Sequence, residues 1–390
     1  MSADIVVRRA RLANYVGLSQ AFAELSRHAV EPNPHMSPAA LSATTLLVPE
    51  EEIVILCAWR SEALGSESLA GVWAFRRQRD WRSGFATVLT APLIPLYEVS
   101  SQPVLDRDHA EDIALAMLRH LLASSDLPKI LALPLLPLEG PCHAALIEAM
   151  RITGSRLTSY ETWQRPVMVA QPGDDAERYL RRALGSSYKK RMQQFRTIGK
   201  SGSVSFGRRR GNAAREAFET FLSLEAAGWK GEAGSAIACL PEVSAYFHRL
   251  VDLLIAQDAV LIDALLLDGK PIAMGLLVES GGARFFLKIA YDETQARMSP
   301  GRALTIAMLQ ADFRDGPPAF FDSGAGDGVD AGTYVWGERR QMANTILTIG
   351  GAIPSRAHLA ANARMWLRRL RSRALKPGRA GPGSSGPARA

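Results

Sequence analysis

Two stretches of the chain repeat one order of apolar runs and turn residues. In the later stretch, Asp268-Gly269 and Gly281-Gly282 each separate two apolar runs, and such dipeptides are strong signals of tight β-hairpin turns. A segment with helical spacing and a further apolar run follow. The pattern predicts an antiparallel meander, a helix and another strand. The predicted elements are strands 260–267, 271–278 and 284–290, a helix at 302–313 and a strand at 319–322.

The earlier stretch has the same order of elements. A repeated order predicts two related α/β halves, each a mixed, largely antiparallel sheet flanked by helices, which is an α/β (α+β) fold. We expect the first half over residues 1–165 and the second over 166–354. The elements predicted in the earlier stretch are strands 53–59, 69–75 and 84–90, a helix at 109–122 and a strand at 129–133.

A basic helix is predicted between the two meanders, over residues 175–198, with Gly199 after its end. A solvated helix face is the default interpretation of its charges, and a phosphate-facing wall of a cleft is the alternative. Its charged residues are Arg178, Arg181, Arg182, Lys189, Lys190, Arg191 and Arg196.

The excess of positive charge comes from the C-terminal segment. Residues 355–390 hold nine of the 46 Arg and Lys residues and no Asp or Glu, which leaves 37 basic against 39 acidic residues elsewhere. The pattern predicts a basic amphipathic helix at 355–375 and a disordered Gly-, Pro- and Ser-rich tail at 376–390. The helix either packs on its own protein or contacts an anionic membrane surface or an acidic partner.

Composition limits the classes of function. The near-neutral body argues against a nucleic-acid-binding fold, and no window approaches the roughly 20 consecutive apolar residues of a membrane span. The first residues lack the apolar core of a secretory signal, so we expect a cytoplasmic protein, with peripheral contact at the inner membrane if the basic helix makes it. The seven histidines and three cysteines show no ligand spacing, so we expect no metal.

The turn before the predicted helix at 302–313 is a candidate anion site. It lies between an apolar strand and a helix N-terminus, where backbone N–H groups and the helix dipole favour an anion, and Arg302 adds a formal charge. An ordinary connection, with Ser299 as N-cap and Pro300 at the first helical position, is the alternative. The residues predicted to hold a coenzyme pyrophosphate are Ser299, Pro300, Gly301, Arg302 and Ala303.

These segments together resemble a known family. The strand, turn and helix at 284–306 resemble the acyl-CoA site of the GCN5-related N-acetyltransferase (GNAT) fold. More specifically, the chain is similar to bacterial acetyltransferases associated with cellulose and exopolysaccharide biosynthesis, which are related to the Fem-type aminoacyl transferases with two GNAT-like halves. The segments that carry this likeness are FLSLEAAGWKGEAGSAI (221–237), LLLDGKPIAMGLLVESGGARFFLKIAYDETQARMSPG (265–301), Glu31-Pro32-Asn33-Pro34 and DSGAGDG (322–328).

The resemblance implies transfer of an acyl group from acetyl-CoA or another acyl-CoA, used as co-substrate, directly to an amine or hydroxyl. Such chemistry needs a hydrogen-bond donor for the thioester oxygen, which we expect between Lys288 and Tyr291. It also needs a base for the acceptor and an acid for the departing thiolate. The candidate bases are Glu225, Asp292 and Glu293, and the candidate acids are Tyr291 and Tyr334. The residues predicted to be catalytic are thus Glu225, Lys288, Tyr291 and Asp292.

Two neighbourhoods have both a structural and a functional interpretation. Gly228 resembles a residue that ends a helix, after which Trp229 would cover the core and Lys230 would compensate the helix dipole. In the functional interpretation, Trp229 and Lys230 bind a sugar or amine acceptor. Strict alternation places Phe286 and Lys288 on one face of their strand, facing a cleft. The predicted substrate-binding residues are Trp229, Lys230, Asp322 and Tyr334.

We therefore expect a tandem GNAT-like acyltransferase whose second half binds the acyl donor and whose cleft between the halves binds a small-molecule or saccharide acceptor. A Fem-like enzyme that takes an aminoacyl group from tRNA is one alternative, with the helix at 175–198 facing the RNA. A non-catalytic partner of a polysaccharide synthase, docked through the basic C-terminal helix, is another.

Overall fold

The computed structural model describes residues 4–62, 65–80, 86–326, 335–351, 359 and 363. Strands β1 to β13 are, in chain order, Ile5–Ala10, Ile53–Ser61, Glu67–Asp80, Ala86–Thr90, Val104–Leu105, Ile130–Pro137, Arg156–Met168, Val204–Arg209, Val260–Leu267, Lys270–Ser280, Ala283–Tyr291, Phe320–Asp322 and Glu338–Thr348. Helices α1 to α11 are Leu12–Val16, Ser19–His28, Pro38–Thr44, Ala110–Ala123, Pro141–Thr153, Ala176–Leu184, Tyr188–Ile198, Gly211–Ala226, Trp229–Glu232, Pro241–Ile255 and Pro300–Asp315. Short 3₁₀ turns lie at Pro34–Met36, Glu50–Glu52, Gly185–Ser187, Ile237–Cys239 and Glu293–Met298.

The strands join in one sheet. Its order is β1-β2-β3-β4-β6-β13-β7-β12-β11-β10-β9-β8, and β5 pairs with β3 beside this path. Most pairs are antiparallel, and β4–β6 and β11–β12 are the parallel pairs among the described strands. The predicted mixed, largely antiparallel sheet flanked by helices is confirmed, and both copies of the predicted strand and helix order are present.

The two copies are joined where strands of one pair with strands of the other. β13 follows the second copy in sequence, but it lies between β6 and β7 of the first and pairs with both. β7 in turn pairs with β12 at Val167 and Met168. The sheet is therefore continuous across the two halves. Among the described residues, no helix is long and apolar enough to cross a membrane.

The two hairpin turns predicted in the second half are confirmed. Asp268 and Gly269 have φ values of 50° and 77°, and Gly281 and Gly282 have 56° and 78°. Positive φ at both central residues is the geometry of a type I′ turn, which fits the twist of antiparallel strands. At Gly281 a Cβ would lie 2.2 Å from the backbone oxygen of Ser26, so this hairpin also presses closely on the first half.

The basic segment does not form the single helix predicted over 175–198. It forms α6 and α7, which are separated at Gly185, where φ is 50° and ψ is −127°. This backbone conformation is one that glycine adopts readily and other residues avoid. The break lets Tyr179 of α6 remain buried, with its hydroxyl donating to Glu338 at 2.7 Å.

Candidate functional site

The parallel pair β11–β12 is very short. Ala283, Arg284 and Phe285 pair with Phe320, Phe321 and Asp322, and β11 then continues for six residues, to Tyr291. Within the described residues, no strand pairs with this side of β11 beyond Phe285. Six residues at about 3.3 Å each give an edge of roughly 20 Å. Where the strands part, a Cβ at Gly324 would lie 2.3 Å from the Phe286 carbonyl oxygen, and the Ile289 carbonyl accepts a hydrogen bond from Lys230 at 2.9 Å.

A bulge interrupts β11 beside this opening. Leu276 of β10 pairs with Lys288, whereas the next residue, Leu277, pairs with Phe286, so Leu287 is an extra residue. The predicted alternation is consequently wrong from this point. Lys288 does not share the face of Phe286, which packs with α11. Its ammonium instead lies 5.7 Å from the ring centre of Tyr97, on the opposite face.

Three predicted residues meet on that opposite face. Oε1 of Glu225 accepts hydrogen bonds from the ammonium groups of Lys230 at 3.1 Å and Lys288 at 3.3 Å. Its Oε2 accepts from the backbone N–H of Ile237 at 2.9 Å, and Lys230 also donates to the carbonyl of Ile289 at 2.9 Å. The carboxylate is fully buried, whereas the side chains of Lys230 and Lys288 are 26% and 18% exposed.

The surroundings shift the protonation of this cluster. Burial alone would raise the pKa of Glu225, but the Ile237 N–H and the two ammonium groups outweigh burial and hold the pKa below its usual value. Burial lowers the pKa of Lys288, and the Glu225 carboxylate offsets only part of that effect. Two ammonium groups share one carboxylate, so the cluster has a net positive charge. This charge is partly shielded from water and lies beside the bulge in β11.

The predicted anion loop lies where β11 leads into α11. Pro300 is the first residue of α11 and is buried, and Ser299 occupies the N-cap position with φ at 51°. Contrary to the alternative interpretation, the Ser299 hydroxyl, among the described residues, caps no backbone N–H. A Cβ at Gly301 would lie 3.3 Å from Cδ1 of Ile289. The missing side chain therefore keeps the helix start close to the β11 edge.

Comparisons with known proteins connect this geometry to an activity. Residues 186–331 match a family described as acetyltransferase (GNAT) domain. This part of the chain is therefore similar to GNAT acyltransferase domains. The match supports an enzyme that transfers acyl groups, and the non-catalytic alternative is set aside. Glu225, Lys288, Tyr291 and Asp292 lie inside the matched range, whereas the candidate acid Tyr334 lies just beyond it.

Solved structures share the fold over most of the chain. The crystal structure of FemX has a TM-score of 0.54 at 10% identity, covering 85% of this chain and 96% of that one. The C-terminal domain of a putative lysylphosphatidylglycerol synthetase from Agrobacterium fabrum has a TM-score of 0.51 at 12% identity, covering 92% and 96%. A conserved protein of unknown function from Bacteroides thetaiotaomicron VPI-5482 has a TM-score of 0.50 at 12% identity, covering 88% and 99%. The search of curated proteins found no match.

The other predicted residues near this site have local contacts. Asp292 accepts hydrogen bonds from the backbone N–H of Thr294 at 2.9 Å and from its hydroxyl at 2.7 Å, so it caps the turn at Glu293–Met298. Tyr291 is half-buried against the α11 side of the sheet. Glu293 accepts the backbone N–H of Trp229 at 2.8 Å.

The helix end near Trp229 differs from the prediction. Gly228 has φ at −100° and precedes the short helix α9, so it is not a left-handed residue that ends α8. Trp229 does not cover the core, because 53% of its surface is exposed. The structural interpretation of this tryptophan is therefore wrong, and its ring remains available to a ligand.

The predicted substrate residues Asp322, in the DSGAGDG segment, and Tyr334, which follows that segment, have different outcomes. Asp322 is buried at the end of β12, where its carboxylate lies 3.4 Å from a guanidinium nitrogen of the fully buried Arg165 and accepts the N–H of Gly324 at 2.8 Å. Tyr334 lies outside the described residues, as does the predicted basic helix at 355–375 apart from residues 359 and 363.

Among the described residues, no group of three His, Cys, Asp or Glu side chains could hold a metal ion.

Sequence reasoning missed the loop at 91–103 of the first half, which brings Tyr97 to Lys288. Its buried backbone is held by side chains that are distant in sequence. Asn33 donates to the carbonyls of Ser100 at 3.1 Å and Gln102 at 2.8 Å, and Arg165 donates to that of Val99 at 2.6 Å. Asn33 belongs to the Glu31-Pro32-Asn33-Pro34 segment, so that segment was a signal, but its partner loop was not apparent.

Proposed function

We propose that this protein transfers an acyl group, acetyl in the simplest case, from acyl-CoA directly to an amine or hydroxyl acceptor. The observation that carries the proposal is the β11 edge from 287 to 291. It has no paired strand among the described residues, it is bulged at Leu287, and it leads to the N-terminus of α11. A long thioester arm can lie along this edge with its phosphates at the helix start.

The donor site is proposed to begin at residues 299–303. The first N–H groups of a helix have no partner within the helix, and the dipole adds partial positive charge there. Arg302 stands in the first turn of α11 and brings a formal charge. The pantetheine arm would then extend along the β11 edge and place the thioester near the bulge at Leu287, where the Glu225 cluster lies on the other face.

Lys288 is proposed to stabilise the negative charge that forms on the thioester oxygen. Attack by the acceptor makes a tetrahedral oxyanion, which collapses as the C–S bond breaks and the coenzyme thiolate leaves. A partly desolvated ammonium is strongly attracted to such a charge. Among the described residues, Lys288 makes one hydrogen bond, to Glu225 at 3.3 Å, and an ammonium group can make three.

Glu225 is then best assigned to holding the two lysines. Both of its oxygens are engaged and its pKa lies below the usual value, so it is a poor base at neutral pH. Asp292 is engaged in capping its turn. Glu293 has one oxygen on the Trp229 N–H and, within the described residues, a second oxygen without a hydrogen bond. We assign to Glu293 the proton-accepting role and to Tyr291 the protonation of the thiolate.

The acceptor is proposed to approach past Trp229 and Lys230. An exposed tryptophan beside an ammonium group and a carboxylate suits the ring and the amine or hydroxyl groups of a saccharide. A component of an exopolysaccharide or of the cell envelope is therefore the acceptor class that we propose.

A tRNA-linked aminoacyl donor is the second candidate, and one observation favours it. α7 packs against the turn at Glu293–Met298 that leads to the donor loop, and its Lys189, Lys190 and Arg196 are exposed. A basic surface beside the donor loop suits the backbone of an RNA end as well as the 3′-phosphate of CoA.

The test is transfer from radiolabelled acetyl-CoA to a panel of amino sugars, oligosaccharides and simple amines, with aminoacyl-tRNA as the competing donor. We expect acetyl transfer that falls at least a hundredfold in Lys288→Met and persists in Arg314→Glu, a change at the exposed far end of α11. Transfer from aminoacyl-tRNA alone, with none from acetyl-CoA, would replace the first candidate with the second.

A further inference from the structure

The loop at 91–103 forms one wall of the proposed transfer site although it belongs to the first half. The ring of Tyr97 lies 5.3 Å from that of Phe247 and 6.0 Å from that of Tyr246, both on α10. The Lys288 ammonium stands 5.7 Å from the Tyr97 ring centre and 5.8 Å from that of Phe247. Two aromatic faces from different halves therefore hold one ammonium group, which favours its charged form.

Glu98 closes the turn that carries Tyr97. The N–H of Tyr97 donates to the carbonyl of Ile94 at 2.9 Å, and the N–H of Ile94 donates to Oε1 of Glu98 at 2.9 Å. The Leu93 N–H is a further donor to this carboxyl. Glu98 itself is buried, whereas Ile94 and Tyr97 are partly buried. Its carboxyl therefore gives the turn an internal hydrogen-bond acceptor and supports the position of Tyr97.

We propose that Glu98 is a positioning residue for the transfer site: its carboxyl fastens the 91–103 loop so that the ring of Tyr97 stays against the Lys288 ammonium. The proposal rests on the proposed function of Lys288. Glu98 touches neither the donor loop nor the acceptor side, so its effect on the reaction passes through Tyr97.

The surroundings of Glu98 are expected to make its hold on the 91–103 loop depend on pH. Its Oε2 and the hydroxyl of Tyr246 are buried and, among the described residues, have no hydrogen-bond partner. Burial raises the pKa of Glu98 to about 8, and the N–H groups of Ile94 and Leu93 only partly oppose this. Tyr246 on α10 is the titratable group coupled to Glu98, and the neighbouring Tyr97 is in turn coupled to Tyr246 and Glu225 and contacts Lys288.

At pH 7 a neutral Glu98 carboxyl accepts hydrogen bonds from the loop N–H groups and places no charge in the core. Ionisation above pH 8 puts an uncompensated negative charge next to Tyr246, and the loop is expected to loosen. Tyr97 would then leave Lys288, water would reach the ammonium, and the pKa of Lys288 would return toward its usual value.

The test follows Lys288 directly, without relying on turnover. The full-length protein is reductively ¹³C-methylated and the Lys288 signal, assigned with Lys288→Met, is titrated from pH 6 to 11 in wild type, Glu98→Gln and Glu98→Ala. Gln cannot ionise but keeps an acceptor for the loop N–H groups. We expect the wild-type signal to show an extra inflection near pH 8, which is absent in Glu98→Gln. In Glu98→Ala the signal should move toward that of an exposed lysine at every pH.

Acetyl transfer over the same range is the second measurement. We expect wild type to lose activity above pH 8 and Glu98→Gln to keep it, whereas Glu98→Ala loses at least tenfold at pH 7. An identical Lys288 titration in wild type and Glu98→Gln would overturn the positioning role, and this comparison stands even if Glu98→Ala does not fold. A changed Lys288 titration in a protein that transfers no acetyl group would support the positioning role and reject the proposed function.

Discussion

The carboxylate of Glu225 should contribute more to stability than either of its lysine partners. In Glu225→Gln, the amide keeps the shape and can accept the N–H of Ile237, but Lys230 and Lys288 lose the charge that compensates them. Removing one member of a buried ion pair costs about 3–5 kcal/mol. Because both lysine side chains keep some exposure to water, we expect the lower limit, about 3 kcal/mol of unfolding free energy.

Lys288→Met should cost much less. The lowered pKa of Lys288 means that its surroundings disfavour the charged form. The apolar methionine removes the ion pair with Glu225, but it also removes the free-energy cost of burying that charge. We expect a loss below about 1 kcal/mol. In the double variant, the loss should be smaller than the sum of the single losses by about 1–2 kcal/mol, because one ammonium no longer lacks its partner. A charged residue whose burial is unfavourable and whose removal barely changes the unfolding free energy is a candidate for function.

The assay is urea unfolding followed by circular dichroism at pH 7 and at pH 4. Glu219→Gln, an exposed position on the same helix α8, is the matched control and should leave the midpoint unchanged. The pKa of Glu225 is lowered in the folded protein, so its stabilisation is complete above the unfolded pKa and is lost as pH falls through the folded value. The gap between wild type and Glu225→Gln should therefore narrow at pH 4. Equal losses in both single variants, or strict additivity in the double variant, would refute the reasoning.

Three further expectations follow from buried contacts. Asp322→Ala should lose about 3 kcal/mol in urea unfolding, since Arg165 is left buried without its carboxylate. Gly281→Ala should cost at least about 2 kcal/mol, whereas its neighbour Gly282→Ala, where a Cβ meets no atom within 4 Å, should cost only about 1 kcal/mol of backbone strain. Glu98→Gln should be more stable than wild type, by an amount that grows from pH 4.5 to pH 8 and reaches about 3–5 kcal/mol, because the raised pKa penalises the folded wild type over that window.

Local sequence patterns were enough for most of the secondary structure. β9, β10 and β11 follow from apolar runs separated by Asp268-Gly269 and Gly281-Gly282, because both pairs adopt the positive φ values of the hairpin turn. The start of α11 at Pro300 follows from a residue that fits the first helical position. These are effects of neighbouring residues, and a single sequence carries them.

Two features that the sequence did not reveal depend on distant segments. The bulge at Leu287 depends on how β10 and β11 align, so alternation alone placed Lys288 on the wrong face. The insertion of β13 between β6 and β7 joins segments about 200 residues apart in the chain. No local pattern encodes either feature.

In the candidate site, too, some residues could be predicted from the sequence and others could not. Lys288 stood out as a charge within an apolar strand, Glu225 was a candidate through the family resemblance and Lys230 through its place beside Trp229, and the structure brings the three together. Tyr97 and Glu98 gave no comparable signal, because their importance comes from a loop that crosses from the other half. A sequence can indicate which polar residues are unusual, but not which of them will meet.

The most direct test of the central claim is calorimetric titration of the full-length protein with acetyl-CoA. We expect one saturable site per chain, weakened at least tenfold in Arg302→Glu and in Gly301→Phe, whose side chain would enter the narrow space beside Ile289. Arg314→Glu, at the exposed end of the same helix, should bind as wild type does. Absence of binding, or equal binding by all four proteins, would contradict a donor site at the start of α11.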